Sequence, residues 1–270
     1  MDCNNVTFVT CFIDIYENNC PTINENNQVN SRNYDWYINS FRYIASSGIK
    51  ICLYGCDKTK DALIKLSSEY PDNIKFMGYN LFINNPIYES CFNNEYTLPD
   101  TRHPIKDTRK YMAIINSKIL HVYDTIQKNP WNSNYFSWID FGIAHILKNK
   151  NETLNRLKKI TSSNIFKNKL LLIACCHNKI IDKESCYKLL NNVHWRFAGG
   201  FFIGDKESIS NFYNLYLKYY ENFLKENKKV VWEVSFWAWL EVHTDFKFTP
   251  YICDHNDSIL NNISESIFTD

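Results

Sequence analysis

The sequence predicts an α/β protein with a mixed, mostly parallel central sheet flanked by helices. Three observations support this: strand and helix patterns alternate from residue 6 to residue 78, the strand patterns are continuous apolar runs, and the helix patterns carry one apolar side. The 270 residues contain no internal repeat and no linker composition. A single domain over residues 1–270 is therefore expected.

The first half of the chain supplies the clearest alternation. Residues 6–13 are rich in β-branched and aromatic residues, which is typical of a buried strand, and the Asn-rich stretch 16–32 predicts a loop. Apolar residues at helical spacing predict a helix over 34–46 that ends at Gly48. A second strand over 49–54, a helix over 59–69 and a third strand over 74–78 follow by the same criteria.

The second half is less regular. Residues 84–104, with three prolines, predict irregular structure, and an apolar side predicts one helix over 106–128. Aromatic and aliphatic runs predict strands at 135–139 and 170–176, an extended segment at 196–203 and a short last strand at 246–253. Long helices are expected at 206–226 and 230–242.

Composition excludes several classes of protein. A net charge of +1 argues against a general nucleic-acid binder. The ten cysteines form no CxxC pair and no zinc-site spacing, so reduced thiols are expected, with a secreted disulfide framework as the alternative. The chain opens without a signal-peptide pattern, and no apolar run approaches the ~20 residues of a membrane span. We therefore expect a cytoplasmic protein, peripheral to a membrane if it works at one.

Acidic residues follow three predicted strands, where open α/β sheets bind their ligands. They are Asp14, Asp57 and Asp140, and the last lies in the sequence WIDFG at 138–142. A carboxylate in that place can hold a divalent cation that neutralises a diphosphate. The alternative is an N-cap for a helix that begins at Ile143.

Two adjacent glycines, Gly199 and Gly200, interrupt the extended segment RFAGGFFIG at 196–204. They predict a bulge or a place where a ligand passes close to the backbone, with a tight β-corner as the alternative. The sequence has no GxGxxG and no GxxxxGK[ST] loop, which disfavours a Rossmann dehydrogenase and a P-loop kinase.

Two further residues are candidates for chemistry. Glu233 opens an aromatic-rich helix, where a desolvated pocket would suit a general base; a solvated glutamate beside core tryptophans is the alternative. His255 lies in the sequence CDHNDS at 253–258 and could complete a metal site with Asp140, or could be a surface residue.

Four motifs in order, FVTCFIDI at 8–15, WIDFG at 138–142, AGGFFIG at 198–204 and DHNDSIL at 254–260, resemble the HtrL/YibB (WlaTC-type) glycosyltransferase family. The resemblance spans nearly the whole chain. It implies a GT-A-like fold with a nucleotide-sugar-binding half over about 1–145 and an acceptor-binding half over about 146–270. It also implies sugar transfer from a UDP- or GDP-sugar to a glycan acceptor in surface-glycan assembly.

The resemblance also implies roles for individual residues. Asp140 and His255 would bind Mn²⁺ or Mg²⁺, although only the last Asp of the usual Asp-x-Asp motif is present. Glu233 would act as the catalytic base. The donor would be bound by the following residues: Thr10, Phe12, Asp14, Arg32, Tyr37, Asp57, Asn116, Lys118, Gly199, Gly200 and Phe201.

Two other functions stay open at this point. One is a metal-dependent phosphoesterase or nucleotidyltransferase, which would normally need several convergent carboxylates for two metals. The other is a catalytically silent nucleotide- or glycan-binding protein, which the missing first aspartate of the motif permits.

Overall fold

A computed structural model describes residues 6–15, 34–162 and 171–264. Within these ranges the strands are Val6–Phe12 (β1), Lys50–Gly55 (β2), Ile74–Tyr79 (β3), Tyr135–Ile139 (β4), Leu171–Cys175 (β5), Phe201–Asp205 (β6) and Thr249–Ile252 (β7). The α-helices are Tyr34–Ala45 (α1), Lys60–Glu69 (α2), Pro86–Ser90 (α3), Arg109–Asn116 (α4), Lys118–Lys128 (α5), Lys150–Ser162 (α6), Lys206–Asn227 (α7), Glu233–His243 (α8) and Ser258–Asn261 (α9). Two 3₁₀ helices cover Ile143–His145 and Lys183–Leu190.

The described strands form one seven-stranded sheet in the order β3-β2-β1-β4-β6-β5-β7. All neighbouring pairs are parallel except those of β6, which runs antiparallel to both β4 and β5. The mixed, mostly parallel α/β fold is therefore confirmed. Strands from both predicted halves share this sheet, while the division of the chain into domains stays a prediction.

The sheet buries both of its faces. Val9 and Tyr54 lie in a core beneath α4, α5, α7 and α8, whereas Phe8 and Leu53 lie in a second core beneath α1, α2 and α6. Side chains alternate between the faces of a strand, so two apolar faces require continuous apolar runs. This explains why the strands were visible in the sequence.

The helix predicted over 106–128 is two helices that meet at Ser117. The backbone N–H of Ser117 donates to carbonyls of the turn before it, and its hydroxyl donates to the Ala113 carbonyl at 2.7 Å. The apolar pattern continues across the junction, so periodicity alone does not show the break. The break places Lys118 at the first position of α5.

Other elements differ from the prediction in extent. Helix α3 begins inside the stretch expected to be irregular, where Asn85 caps it by accepting from the N–H of Ile87 at 3.0 Å. Helix α6 and the 3₁₀ helix Lys183–Leu190 were not predicted, and β7 is shorter than 246–253. The loop expected over 16–32 falls outside the described residues. Among those described, no helix has the length and apolar character needed to cross a bilayer.

Candidate active site

The carboxyl ends of the parallel strands meet at one edge of the sheet, as predicted. From β1 the chain builds β2 and β3 on one side and then returns to place β4 on the other side. This reversal between β1 and β4 is a topological switch point, where open α/β sheets form their ligand crevice. Asp14 follows β1 and Asp140 follows β4, so both lie at this point.

A buried ammonium joins the polar groups at the switch point. Lys118 Nζ lies 3.0 Å from Asp140 Oδ1 and 2.8 Å from Glu233 Oε1, and it donates to the Gly199 carbonyl at 2.9 Å. The side chains of Lys118 and Glu233 are 7% and 8% exposed, whereas that of Asp140 is 42% exposed. We call Lys118, Asp140 and Glu233 the charged cluster.

Neighbouring side chains hold the charged cluster in place. The indole Nε1 of Trp138 donates to Asp140 Oδ1 at 2.7 Å. The fully buried amide of Asn116 donates to the carbonyls of Met112 and Val231, at 2.8 and 2.9 Å, and so ties α4 to the segment just before Glu233. Asn116 therefore connects two segments that carry residues of the charged cluster, and its donor-binding role stays a prediction.

The neighbouring carboxylates favour the charged form of Lys118. Burial on its own would lower the pKa of Lys118, but Asp140 and Glu233 together raise that pKa above its usual value. With both carboxylates ionised, one ammonium and two carboxylates give a net charge of −1. Two weaker acids nearby have raised pKa values. Burial, followed by the charge of Asp140, raises the pKa of Cys11 to about 12. Burial, followed by the charge of Glu233, raises the pKa of Tyr111.

The two glycines break the pairing of β5 with β6. Ile173 pairs with Phe202, but the next residue of β5, Ala174, accepts instead from the N–H of Ala198. The ladder on β5 thus skips residues 199–201, whereas on the other side of β6 the N–H of Asp140 donates to the Gly200 carbonyl at 3.0 Å and continues the β4–β6 ladder. This is the bulge-like interruption that the sequence predicted.

The two glycines differ in what surrounds them. A Cβ on Gly199 would lie 2.2 Å from Glu233 Oε1, so Glu233 can occupy its place only beside a glycine. A Cβ on Gly200 would lie 3.6 Å from Asp140 Oδ2, which is ordinary van der Waals contact. Gly199 is therefore a steric requirement of the charged cluster.

The Asp140 carboxylate has one oxygen left for a ligand. Oδ1 receives Lys118 and Trp138, while Oδ2 accepts no hydrogen bond from the residues described. Asp140 does not cap a helix with its side chain, because Gly142 precedes the 3₁₀ turn that follows. These residues fit a cation that takes one oxygen from the protein and its other ligands from substrate and water.

His255 lies at the far end of the same edge. Its exposed ring packs 5.7 Å from that of Trp195, and the structure gives it no contact with Asp140. Strands β4 and β7 are three spacings apart, about 14 Å. The described residues contain no group of three or more His, Cys, Asp or Glu able to hold a metal. The pairing of His255 with Asp140 stays a prediction.

Aromatic rings gather where the nucleoside was expected. Phe12 stacks on Phe141 with ring centroids 4.6 Å apart and lies 5.4 Å from Tyr37. Phe12 and Tyr37 are both half-buried. These rings lie at the end of β1 and could stack on a base.

The remaining predicted donor residues differ in their exposure and in their contacts. Asp14 pairs with Lys58 at 3.2 Å, and the exposed Asp57 accepts from Asn80 at 2.7 Å. The side chains of Thr10 and Phe201 are fully buried. Arg32 falls outside the described residues.

One buried ion pair near the site was missed in the sequence. Arg196 donates to both carboxylate oxygens of Glu241, at 3.0 and 2.7 Å, and to the His177 carbonyl at 2.6 Å. It therefore ties the segment before Gly199 to α8. The available signal was a second glutamate on α8, eight residues after Glu233, on a mostly apolar helix.

A buried histidine behind Trp138 predicts a pH-dependent stability. Burial lowers the pKa of His121 to about 4, while the unfolded chain binds that proton near pH 6.5. The unfolded state therefore binds more protons between these values, and stability falls as the pH drops from 6.5 to 4. We expect this residue to contribute a loss of about 3 kcal/mol over that range.

The measurement is urea unfolding of the wild type and His121→Phe at pH values from 4 to 7.5. The wild type should lose stability more steeply than the variant below pH 6.5. Parallel curves would show that His121 is not the group responsible.

A family model described as "Bacterial protein of unknown function (HtrL_YibB)" matches residues 4–231. No curated protein matches the chain. Among solved structures, mouse xyloside xylosyltransferase 1 in its apo form is similar, with 10% sequence identity and a TM-score of 0.45. The match covers 92% of this chain and 84% of the mouse chain. The 4-diphosphocytidyl-2C-methyl-D-erythritol synthase of Anaerococcus prevotii is 13% identical, with a TM-score of 0.41. That match covers 97% of this chain and 92% of the synthase chain. Likenesses of this size carry no conclusion about activity.

Proposed function

This chain belongs to the HtrL_YibB family, and we propose that it is a GT-A-like glycosyltransferase that moves a sugar from a nucleotide sugar to a hydroxyl of a glycan. One observation carries the proposal: Lys118 holds two carboxylates, one accessible and one buried, at the switch point of a mostly parallel sheet. UDP- and GDP-sugars are the proposed donors, and cytoplasmic surface-glycan assembly is the proposed setting.

The donor would bind between the end of β1 and Asp140. Phe12 and Tyr37 supply ring faces for the base, and the adjacent strand end supplies Asp140 for the diphosphate side. The charged cluster, at −1, would repel a diphosphate that approached alone. Asp140 would hold Mn²⁺ or Mg²⁺ through Oδ2, and such an ion neutralises the charge of the departing diphosphate when it is bound.

Glu233 is the proposed base for the acceptor. Its Oε1 is fixed by Lys118, and Oε2 accepts no hydrogen bond from the described part of the chain. Oε2 would take the proton of the acceptor hydroxyl as the hydroxyl oxygen bonds to the anomeric carbon. The bond from that carbon to the diphosphate oxygen then breaks, which gives inversion at this carbon.

The alternatives have weaker support from the site. A two-metal phosphoesterase needs convergent carboxylates, and Asp140 is the accessible one of the two carboxylates held by Lys118. A catalytically silent binding protein would not need a buried glutamate that is paired with a lysine. Burying such a group without a use for it costs stability.

The experiment is thermal unfolding of the wild type with UDP, GDP or CMP, each in Mn²⁺ and in EDTA. One nucleoside diphosphate at about 100 times its Kd should stabilise the protein by about 2.7 kcal/mol, and only in Mn²⁺. For a chain of this size that is a rise in Tm of roughly 5–10 °C. A protein that no nucleotide stabilises under either condition is not the enzyme proposed.

A further inference from the structure

Three protein acceptors surround the ammonium of Lys118. Lys118 Nζ donates to Gly199 O at 2.9 Å and to Glu233 Oε1 at 2.8 Å, and it forms an ion pair with Asp140 Oδ1 at 3.0 Å. The side chain is 7% exposed, and a donor phosphate would reach it only by displacing one of these partners. This differs from the donor-binding role that the sequence predicted for Lys118.

We propose that Lys118 is a positioning residue, the shared counter-ion that fixes Asp140 and Glu233 relative to each other, and that it does not bind the donor phosphates. The inference rests on the proposed function for its catalytic meaning, but the shared ion pair can be tested without any substrate.

The geometry gives the shared counter-ion a definite task. Asp140 follows β4 and Glu233 opens α8, so the two carboxylates stand on separate elements. Lys118 Nζ lies 3.0 Å from Asp140 Oδ1 and 2.8 Å from Glu233 Oε1, and its hydrogen bond to the Gly199 carbonyl anchors it to the segment before β6. Each carboxylate thereby turns one oxygen toward Lys118 and keeps the other for substrate.

Removal of the ammonium would affect the two carboxylates unequally. Asp140, at 42% exposed, could be solvated, whereas Glu233, at 8% exposed, would be an unpaired buried charge. The ionisable groups facing Lys118 are Asp140, Glu233, Tyr111 and Cys11. Lys118 pairs with both carboxylates, so its loss removes their shared counter-charge.

The first measurement is thermal unfolding of Lys118→Met, Glu233→Gln and the double variant. Lys118→Met should lower the Tm by roughly 10 °C, because a buried charge loses its partner. Adding Glu233→Gln should restore much of that loss, because the orphan charge is then removed as well. Lys128→Met is the control on the same helix, because it removes an ion pair with Asp124 in which the lysine is 45% exposed, and its Tm should stay within about 2 °C of the wild type. Additive losses in the double variant would overturn the proposal.

The second measurement separates positioning from phosphate binding. The Kd of Lys118→Met for UDP or GDP in Mn²⁺ should stay within about threefold of the wild-type Kd. The rate of sugar transfer by the same variant should fall about 100-fold or more. The acidic limb of its pH–rate profile should move to higher pH, and Lys118→Arg should recover part of the rate. If nucleotide affinity falls as far as turnover and the limb does not move, Lys118 is a phosphate ligand. If no nucleotide binds the wild type, the proposed function fails, while the thermal comparison still decides the shared ion pair.

Discussion

Asp140→Asn is expected to reduce sugar transfer by roughly 100-fold or more while leaving the fold intact. The amide keeps an oxygen that can accept from Trp138, but it removes the only accessible charge of the cluster. The variant should also lose the Mn²⁺-dependent part of nucleotide binding. Nucleoside diphosphate release, nucleotide affinity in Mn²⁺ and in EDTA, and the Tm measure the three effects.

Asp72→Asn is the matched control, because Asp72 is an exposed carboxylate that precedes β3 at the opposite edge of the sheet. It should behave as the wild type in all three measurements. An Asp140→Asn variant with full activity would reduce Asp140 to a structural partner of Lys118 and Trp138.

Gly199→Ala is expected to inactivate the protein by displacing Glu233. The new methyl would lie 2.2 Å from Glu233 Oε1, so the carboxylate must leave Lys118 or the strand must shift. Overpacking of this kind costs about 1–3 kcal/mol in the free energy of unfolding. Turnover should fall by about 100-fold, because the proposed base is misplaced.

Gly200→Ala provides the steric comparison one residue away. Its methyl would lie 3.6 Å from Asp140 Oδ2, so the free energy of unfolding should stay within about 0.5 kcal/mol of the wild type. Chemical denaturation of both variants makes the comparison. Equal destabilisation by the two alanines would contradict the close packing of Glu233 on Gly199.

Much of the fold was predictable because its signals are local. Two buried faces favour runs rich in apolar and β-branched residues such as β1 and β5, and strand–helix alternation favours parallel pairing. The reversed strand β6 was not predictable from its own residues, since an apolar run has the same composition in either direction. Its antiparallel pairing with β4 places Gly200 beside Asp140.

The candidate site was predictable only in its separate parts. Asp140, Gly199 and Glu233 each stood out through position or neighbouring residues, and the structure brings all three to Lys118. Contacts that span the chain leave no local signal. Lys118 and Glu233 are 115 residues apart in sequence, and Arg196 and Glu241 are 45 apart.

Two of the predicted polar donor residues are fully buried. Thr10 and Asn116 are polar residues in places that motif reasoning favours, yet both are fully buried. A polar side chain in an apolar run can serve the backbone as well as a ligand, and the amide of Asn116 serves two carbonyls. Sequence alone does not distinguish the two uses.

The central claim is tested most directly by nucleotide release from a panel of UDP-, GDP- and CMP-sugars in Mn²⁺, with wild type and Asp140→Asn side by side. The proposal predicts that the wild type turns over at least one of these donors and that Asp140→Asn loses this turnover while keeping the wild-type Tm within a few degrees. A folded wild type that releases nucleotide from no donor faster than Asp140→Asn would contradict it.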